Sequence, residues 1–168
     1  MVWAQFRNKK PMIKISNIEH QECREQLLEK AEKICKENNA RLTKTRKRVL
    51  EIICDQPVAI KAYDILEILA KEDKSAKPIT VYRALDFLMA QKLAHKIEST
   101  NSFFACPCPD QKIESQLLIC NKCGTVTALH VPDACSVLDT YAKDVGFIPE
   151  SKSIEIHGIC AKCKQKSA

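Results

Sequence analysis

Pro78-Ile-Thr-Val-Tyr-Arg-Ala-Leu-Asp-Phe-Leu-Met89 is the stretch that decides the predicted fold. Proline suits a first helical turn because its fixed φ presets that turn, and Val81, Leu85 and Leu88 follow at helical spacing as a buried stripe. Polar residues then face outward near the N-terminal half, the part of a recognition helix that reaches base edges in a major groove. These outward residues are Thr80, Tyr82, Arg83 and Asp86.

After this helix the apolar period changes to two. Leu93–Glu98 and Phe103–Cys106 flank the turn-forming residues Ser99–Ser102, and this pattern predicts a β-hairpin with a four-residue loop. The loop length places His95 opposite Cys106. Directly opposed Cβ atoms lie roughly 5 Å apart, so an imidazole nitrogen and a thiolate at these positions can share one metal ion.

Three amphipathic helices precede the recognition helix. Apolar residues recur at helical steps in about residues 19–38, Thr43 is a good N-cap for a second helix that ends near Pro57, and residues 62–72 form a third. With the recognition helix and the hairpin they make a winged helix-turn-helix domain over residues 19–106. Residues 1–18 have no clear period and are predicted to be a loosely held arm.

The excess positive charge lies in the first part of the chain. Residues 1–98 hold 20 Lys+Arg against 14 Asp+Glu, and residues 99–168 hold seven of each, which accounts for the net charge of +6. The densest basic run is Arg41–Arg48. This asymmetry indicates a polyanion partner for the first domain.

Two cysteine pairs organise the rest of the chain, Cys120-Asn-Lys-Cys123 and Cys160-Ala-Lys-Cys163. Each C-x-x-C turn points two thiolates to one side, so the two turns together supply the four sulfurs of a tetrahedral zinc site. Gly124 strengthens the prediction because the chain turning away from such a knuckle needs a residue that tolerates positive φ.

Residues 107–168 are predicted to form a small α/β dimerisation domain around this zinc site. Strands are expected at residues 116–119, 125–131 and 153–159, and a helix at 132–145. So small a core needs a staple or a partner, and zinc and a second copy of the chain are the ones we expect. The fold class is therefore α+β.

Composition excludes several other classes. No stretch approaches the roughly 18 consecutive apolar residues of a membrane span, and the N-terminus lacks the apolar core of a signal peptide, so we expect a cytoplasmic protein with no membrane partner. Ten cysteines in a reducing compartment favour metal ligation over disulfides. Four of them lie among helical apolar positions and are predicted to be buried core: Cys23, Cys35, Cys54 and Cys135.

Over about residues 26–163 the chain resembles the ferric-uptake-regulator family of bacterial metal-dependent repressors, and within it the zinc-uptake-regulator branch. The resemblance implies a winged-helix DNA-binding domain, a C-terminal dimerisation domain, a structural zinc on the four paired cysteines, and a second, regulatory zinc at the hinge between domains. The motifs that carry it are Ala-Glu-Lys-Ile-Cys, Arg-Leu-Thr-Lys-Thr-Arg, Ala-Tyr-Asp-Ile-Leu, Thr-Val-Tyr-Arg-Ala-Leu-Asp-Phe-Leu, His-Lys-Ile-Glu-Ser-Thr-Asn-Ser and the cysteine pairs.

The family pattern places a regulatory histidine and cysteine where this chain has His95 and Cys106. Two positions depart from it: Ile113-Glu114 stands where the branch usually has a histidine, and Ala128 where it has a glutamate. We expect Glu114 to supply an oxygen ligand. Cys108, His130 and water remain alternatives, whereas His157 is predicted to be a packed strand histidine.

The resemblance implies zinc-dependent repression of zinc-uptake genes by a dimer on operator DNA. Arg83 and Tyr82 are then expected to contact bases. Four further residues are expected to contact mainly phosphates or groove edges: Tyr63, Lys44, Arg46 and Arg48. His and Cys ligands favour zinc over iron as the sensed metal. No small organic substrate is expected.

Three alternatives stay open. The closest is an iron- or peroxide-responsive member of the same family. A dithiol redox enzyme built on Cys120 and Cys123 is less favoured, because no thioredoxin-like strand-to-helix placement and no nucleophile–base set surround them. The last is a zinc-stapled RNA-binding or interaction protein in which the predicted recognition helix only packs.

Overall fold

The computed structural model describes residues 13–14, 20–106, 116–129, 131–150 and 152–166. The chain divides into two compact units, Ile15–Lys112 and a second one that combines Met1–Lys14 with Ile113–Ala168. The elements in chain order are β1 (Ile13–Lys14), α1 (His20–Glu37), α2 (Lys44–Cys54), β2 (Ile60–Lys61), α3 (Ala62–Glu72), α4 (Pro78–Ala90), β3 (Ala94–Ile97), β4 (Ser102–Ala105), β5 (Gln116–Cys120), β6 (Val126–Leu129), α5 (Pro132–Asp144), β7 (Ile154–Gly158) and α6 (Ala161–Gln165).

The four helices predicted for the first unit are confirmed. Thr43 caps α2, since its hydroxyl accepts a hydrogen bond from the backbone N–H of Arg46 at 3.4 Å, and Pro78 opens α4. The stripe predicted on α4 is buried. It packs into a core with side chains from the other helices and the hairpin, including Ala31, Leu50, Ile65, Val81, Leu85, Leu88, Leu93 and Phe103.

A three-stranded antiparallel sheet forms the wing, in the order β2-β4-β3. The hairpin β3–β4 was predicted, but β2 was not. Its two residues pair with Phe103 and Ser102, and a strand of two residues shows no alternation by which a sequence pattern could detect it.

The predicted register of the hairpin is wrong by two residues. His95 pairs with Phe104 rather than Cys106, and Ile97 pairs with Ser102. The loop is Glu98–Asn101 rather than Ser99–Ser102, because Asn101 ends the turn with a left-handed φ of 50° and Ser102 already belongs to the strand. Ser102 is buried there, and its hydroxyl lies 2.6 Å from that of Thr100.

The second unit is built on a four-stranded sheet in the order β1-β6-β5-β7. Strand β6 pairs antiparallel with β5 and β1, whereas β7 pairs parallel with β5 and is reached through α5. Within the predicted N-terminal arm the structure describes only Ile13–Lys14, which forms an edge strand. The short helix α6 was not predicted, because five residues are too few to show a helical period.

The described cysteines of the predicted core are buried: Cys35, Cys54 and Cys135. The side chain of Cys23 lies outside the described residues. Several large apolar side chains of the second unit are exposed in the single chain, among them Leu138, Tyr141, Val145, Phe147 and Ile148. No described helix is both long and apolar enough to cross a membrane.

Candidate metal centre and nucleic-acid interface

Each of the two cysteine pairs forms a tight turn. In the first, the N–H of Gly124 donates to the carbonyl oxygen of Cys120 at 2.9 Å, and Gly124 has a φ of 69°, as predicted from its position. In the second, Cys160 precedes α6 and its carbonyl oxygen accepts from the N–H of Lys164 at 2.9 Å. Both turns therefore present their thiols on a fixed backbone.

Parallel pairing brings the two turns together. Cys120 at the end of β5 pairs with Gly158 at the end of β7, and the N–H of Asn121 donates to the carbonyl oxygen of Gly158 at 2.8 Å. Since the carboxyl ends of parallel neighbours meet at one edge of a sheet, the chain places the pairs side by side although 36 residues, Gly124–Ile159, separate them.

The sulfur atoms have the spacing of a zinc centre. All four lie within 4.8 Å of one another, and the Sγ atoms of Cys123 and Cys160 are 3.8 Å apart. Zinc–sulfur bonds of about 2.3 Å in a tetrahedron put neighbouring sulfurs roughly 3.8 Å apart. Within the part of the chain that the structure describes, no other group of three or more His, Cys, Asp or Glu side chains has this closeness.

The electrostatics of the cluster also suit a divalent cation. The backbone N–H of Cys160 donates to Cys120 Sγ at 3.3 Å, and this bond, with others from the first turn, lowers the pKa of Cys120 to about 6. The pKa of Cys123 is lowered too, chiefly by Thr125, whereas the neighbouring sulfurs, Cys123 first, raise the pKa of Cys163 to about 12. Ionisation of one thiol opposes that of the next, and a bound Zn²⁺ offsets this repulsion.

His157 lies beside the cluster but not in it. It is exposed rather than packed as predicted, with Nδ1 3.3 Å from Asn121 Oδ1 and Nε2 3.6 Å from Glu155 Oε2. The turn residue Asn121 and the strand β7 are thereby linked through a side chain in addition to their backbone bond.

His95 and Cys106, the residues predicted for a regulatory site, lie on the same face of the wing sheet. His95 stacks on Phe104, with ring centroids 5.3 Å apart and an angle of 26° between the planes. Cys106 directly follows β4 and lies two residues after Phe104, the partner of His95, so it points to the same side; its N–H donates to the carbonyl oxygen of Leu93 at 2.9 Å. The two side chains are diagonal neighbours rather than direct partners.

Burial lowers the pKa of His95 and so favours the neutral imidazole, which is the form that binds a metal ion. Cys106 is almost fully buried. Glu114, Cys108 and His130 all lie outside the described residues. Ala128 is buried on β6, where it pairs with Leu117 on one side and Ile13 on the other.

The outer face of α4 carries the residues predicted to contact bases. Arg83 is exposed and Tyr82 is half-buried against the core, and Tyr63, in the first turn of α3, is 65 % exposed. Ile79, in the first turn of α4, is also 56 % exposed and was not predicted to face outward. The only signal for it was its place outside the apolar stripe.

The basic run splits into groups with different surroundings. Lys44 is exposed, but the guanidinium of Arg46 lies 3.7 Å from the centre of the Phe87 ring on α4 and donates to the carbonyl oxygen of Arg41 at 2.6 Å. Arg48 donates from two nitrogens to the carboxylate of Glu72 and from a third to Glu51 at 3.0 Å, contacts that raise its pKa further.

Comparisons with known proteins agree with this architecture. Residues 37–157 match the model of the ferric uptake regulator family. The chain is 43% identical over 145 residues to the zinc uptake regulation protein of Escherichia coli K12, a match that covers 86% of this chain and 85% of that protein. It is 26% identical to the ferric uptake regulation protein of Neisseria meningitidis over 134 residues, 78% of this chain and 91% of that protein.

Solved structures extend the likeness to three dimensions. A zinc uptake regulator complexed with zinc and DNA superposes with a TM-score of 0.82 at 43% identity, over 86% of this chain and 97% of that one. A crystal structure of holo XcZur superposes with a TM-score of 0.77 at 40% identity, over 83% and 98% of the two chains.

Proposed function

This chain belongs to the ferric uptake regulator family, and we propose that it is a zinc-responsive transcriptional repressor that binds operator DNA as a dimer and controls zinc-uptake genes. One observation carries the proposal: the chain superposes over 86% of its length, at 43% identity and with a TM-score of 0.82, on a regulator solved with both zinc and DNA.

The four paired cysteines would hold the structural zinc of each subunit. Their sulfurs lie within 4.8 Å of one another, and a zinc ion held by all four thiolates would have no open position for a substrate. The same closeness argues against a dithiol enzyme, since four mutually close thiols are what a metal ion requires and a redox pair needs only two. We propose that the protein is not an enzyme.

A second, regulatory zinc would be held by His95, Cys106 and Glu114. His95 and Cys106 are diagonal neighbours on one sheet face, and such neighbours lie within reach of long side chains. Cys106 is buried and His95 is half-buried. A ligand set with an imidazole and a thiolate favours zinc over iron. With Ala128 unable to bind a metal, the set needs Glu114 or one of its alternatives, Cys108, His130 or water.

On DNA, α4 would enter the major groove with Arg83 and Tyr82 toward the bases. Tyr63 and Lys44, both exposed, would contact phosphates or groove edges. Arg46 and Arg48 also belong to the proposed interface, but their main role would be to hold helices α4 and α3 against α2, because their guanidinium groups already contact Phe87 and Glu72.

Regulation would work by a population shift. Zinc that binds one arrangement of the chain better than the others supplies a differential binding free energy. In that arrangement the two recognition helices of a dimer have the spacing of two half-sites, and the repressor occupies its promoter. We place the protein in the cytoplasm, where its DNA is.

Metal analysis and a zinc-buffered DNA-binding curve test this proposal together. Duplexes are first selected from a random pool with zinc present, and their affinity is then measured against buffered free zinc and, under anaerobic conditions, free iron. We expect two zinc ions per chain in the DNA-binding form and one in the form that has lost DNA. Binding that follows iron, or binding indifferent to both metals, would contradict the zinc assignment.

Cys106→Ser tests the regulatory site. We expect this variant to keep one zinc ion per chain and to remain a folded dimer, but to lose zinc-dependent operator binding. Cys35→Ala is the matched control, because it changes a buried cysteine in the core of the same unit and leaves the proposed site intact. A Cys106→Ser variant that still responds to zinc in a gel-shift titration would remove Cys106 from the ligand set.

A further inference from the structure

Ile79 is an exposed aliphatic residue in the first turn of α4. Its side chain is 56 % exposed, whereas the other three branched aliphatic residues of that helix, Val81, Leu85 and Leu88, are fully buried. A single exposed isoleucine is ordinary on a protein surface. Ile79, however, stands at the start of the helix that we propose enters a DNA groove, and a side chain at that position would contact the base edges.

Helical spacing places Ile79 on the outer face of α4. Residues three and four positions apart are neighbours on a helix surface, so Ile79 lies one turn before Tyr82, which is half-buried, and Arg83, which is exposed. The N-terminal residues of a recognition helix are the ones that contact base edges. Ile79 therefore belongs to the same reading face as Arg83.

The groove offers only one apolar group to such a side chain. In the major groove each base pair presents hydrogen-bond donors and acceptors, and only thymine adds a C5-methyl group. Ile79 has no hydrogen-bonding atom on its side chain, so a polar base edge would gain nothing from it. The first turn of α4 carries no acidic residue and follows Lys77, so nothing there repels the DNA backbone.

We propose that Ile79 is a specificity-determining residue that packs on a thymine methyl group in each half-site, next to the base bound by Arg83. This inference rests on the proposed function. This contact would make the operator richer in A·T pairs at that position than hydrogen bonding alone requires.

Replacement of thymine by deoxyuridine tests this contact, because it removes only the methyl group. Zinc-loaded wild-type protein and Ile79→Ala are titrated with the selected duplex and with duplexes that carry deoxyuridine at one thymine per half-site in turn. At one position we expect about fourfold weaker binding per half-site by wild type, the change that corresponds to losing one buried methyl group at ~0.8 kcal/mol. At that position Ile79→Ala should bind both duplexes equally.

Two further variants separate packing from folding. Ile79→Ala does not endanger α4, since alanine has the higher helix propensity. Val58→Ala truncates another exposed aliphatic of the same unit outside α4 and should keep the wild-type profile. Ile79→Val, which keeps a branched side chain, should retain most of the dependence on the methyl group.

The outcomes distinguish this inference from the proposed function. If wild type and Ile79→Ala both bind with zinc dependence but lose affinity equally at every deoxyuridine position, Ile79 reads no methyl group and the inference fails alone. If wild type shows no zinc-dependent preference for any duplex, the proposed function fails and the inference falls with it.

Discussion

At the scale of single residues, helix α2 begins inside the basic run Arg41–Arg48 and turns its side chains in different directions. Arg46 lies against the aromatic ring of Phe87 on α4, while Lys47 forms an ion pair with Glu32 on α1 at 2.6 Å. Successive side chains point in different directions on α2, so a continuous charge run in the sequence becomes separate contacts to separate helices.

Arg83→Ala tests base reading by α4. Because an arginine that donates two hydrogen bonds to a guanine discriminates against other bases, we expect the variant to lose roughly 1–3 kcal/mol on the selected duplex and little on random DNA. Lys44→Ala is the comparison: a phosphate contact should weaken binding to both duplexes alike and reduce its salt dependence. An equal loss on both duplexes for Arg83→Ala would reclassify Arg83 as a phosphate contact.

At the scale of elements, α2 and α3 are joined by the carboxylate of Glu72. Its contact with Arg48 lowers the pKa of Glu72 below the ordinary value of 4.5, with hydrogen bonding as the main cause. A carboxyl group with a depressed folded-state pKa stabilises the fold above its unfolded-state pKa. This stabilisation is lost as the pH falls through the folded-state value.

We therefore expect Glu72→Gln to lower the urea midpoint of the helical unit at neutral pH. The difference from wild type should disappear once the pH falls below the depressed pKa of Glu72. Glu67→Gln, another exposed change on α3, should leave the midpoint unchanged at both pH values. A constant difference between Glu72→Gln and wild type at all pH values would mean that the ion pair is not its cause.

The wing shows how one turn residue sets an element. Asn101 adopts a left-handed conformation, which asparagine tolerates better than most residues, and this places Ser102 in the sheet opposite Ile97. The two-residue shift keeps every side chain on its predicted face, because the side-chain period of a strand is two. His95 and Cys106 thus remain on one face although they are not direct partners.

At the scale of the whole molecule, the second unit has a small core, and its four-cysteine cluster joins the turn after β5 to the turn after β7. A structural zinc contributes an apparent free energy of about 10–16 kcal/mol in zinc-finger peptides at neutral pH. We expect a strong chelator to remove slow amide hydrogen exchange from β5 and β7, while the helices of the other unit keep theirs. Cys123→Ser should behave as the chelated protein does, and persistent protection of β5 after chelation would contradict a structural role for the metal.

The exposed apolar side chains of the second unit predict its oligomeric state. Tyr141 and Val145 on and after α5 are 70 % and 80 % exposed, a cost that a second copy of the chain would relieve. Tyr141→Glu should give monomers in sedimentation and weaken operator binding, since each monomer reaches only one half-site. Thr140→Glu, exposed on the same helix, serves as the control. A Tyr141→Glu variant that stays dimeric would place the interface elsewhere.

Local signals in the sequence were sufficient to predict helices α1 to α5 and the N-cap of α2. Thr43, Pro78 and Gly124 act on their own turns, and the predictions that rest on them are confirmed by the structure. The four cysteine sulfurs lie within 4.8 Å of one another, and zinc binding by them stays a prediction. The helical spacing of apolar residues was enough to predict the four helices of the first unit. Its predicted DNA contacts stay predictions that the experiments above address.

The contacts between distant segments were decided by tertiary structure. The sequence alone predicted that the four paired cysteines form one site, but the parallel pairing of β5 with β7 brings Cys120 and Cys160 together, because strand pairing depends on partners far apart in the chain. Tertiary structure also decided three other features: the register of the wing, the edge strand β2 and the contacts of Arg46 and Arg48. Each depends on which side chain a neighbouring element presents, and no local period encodes that.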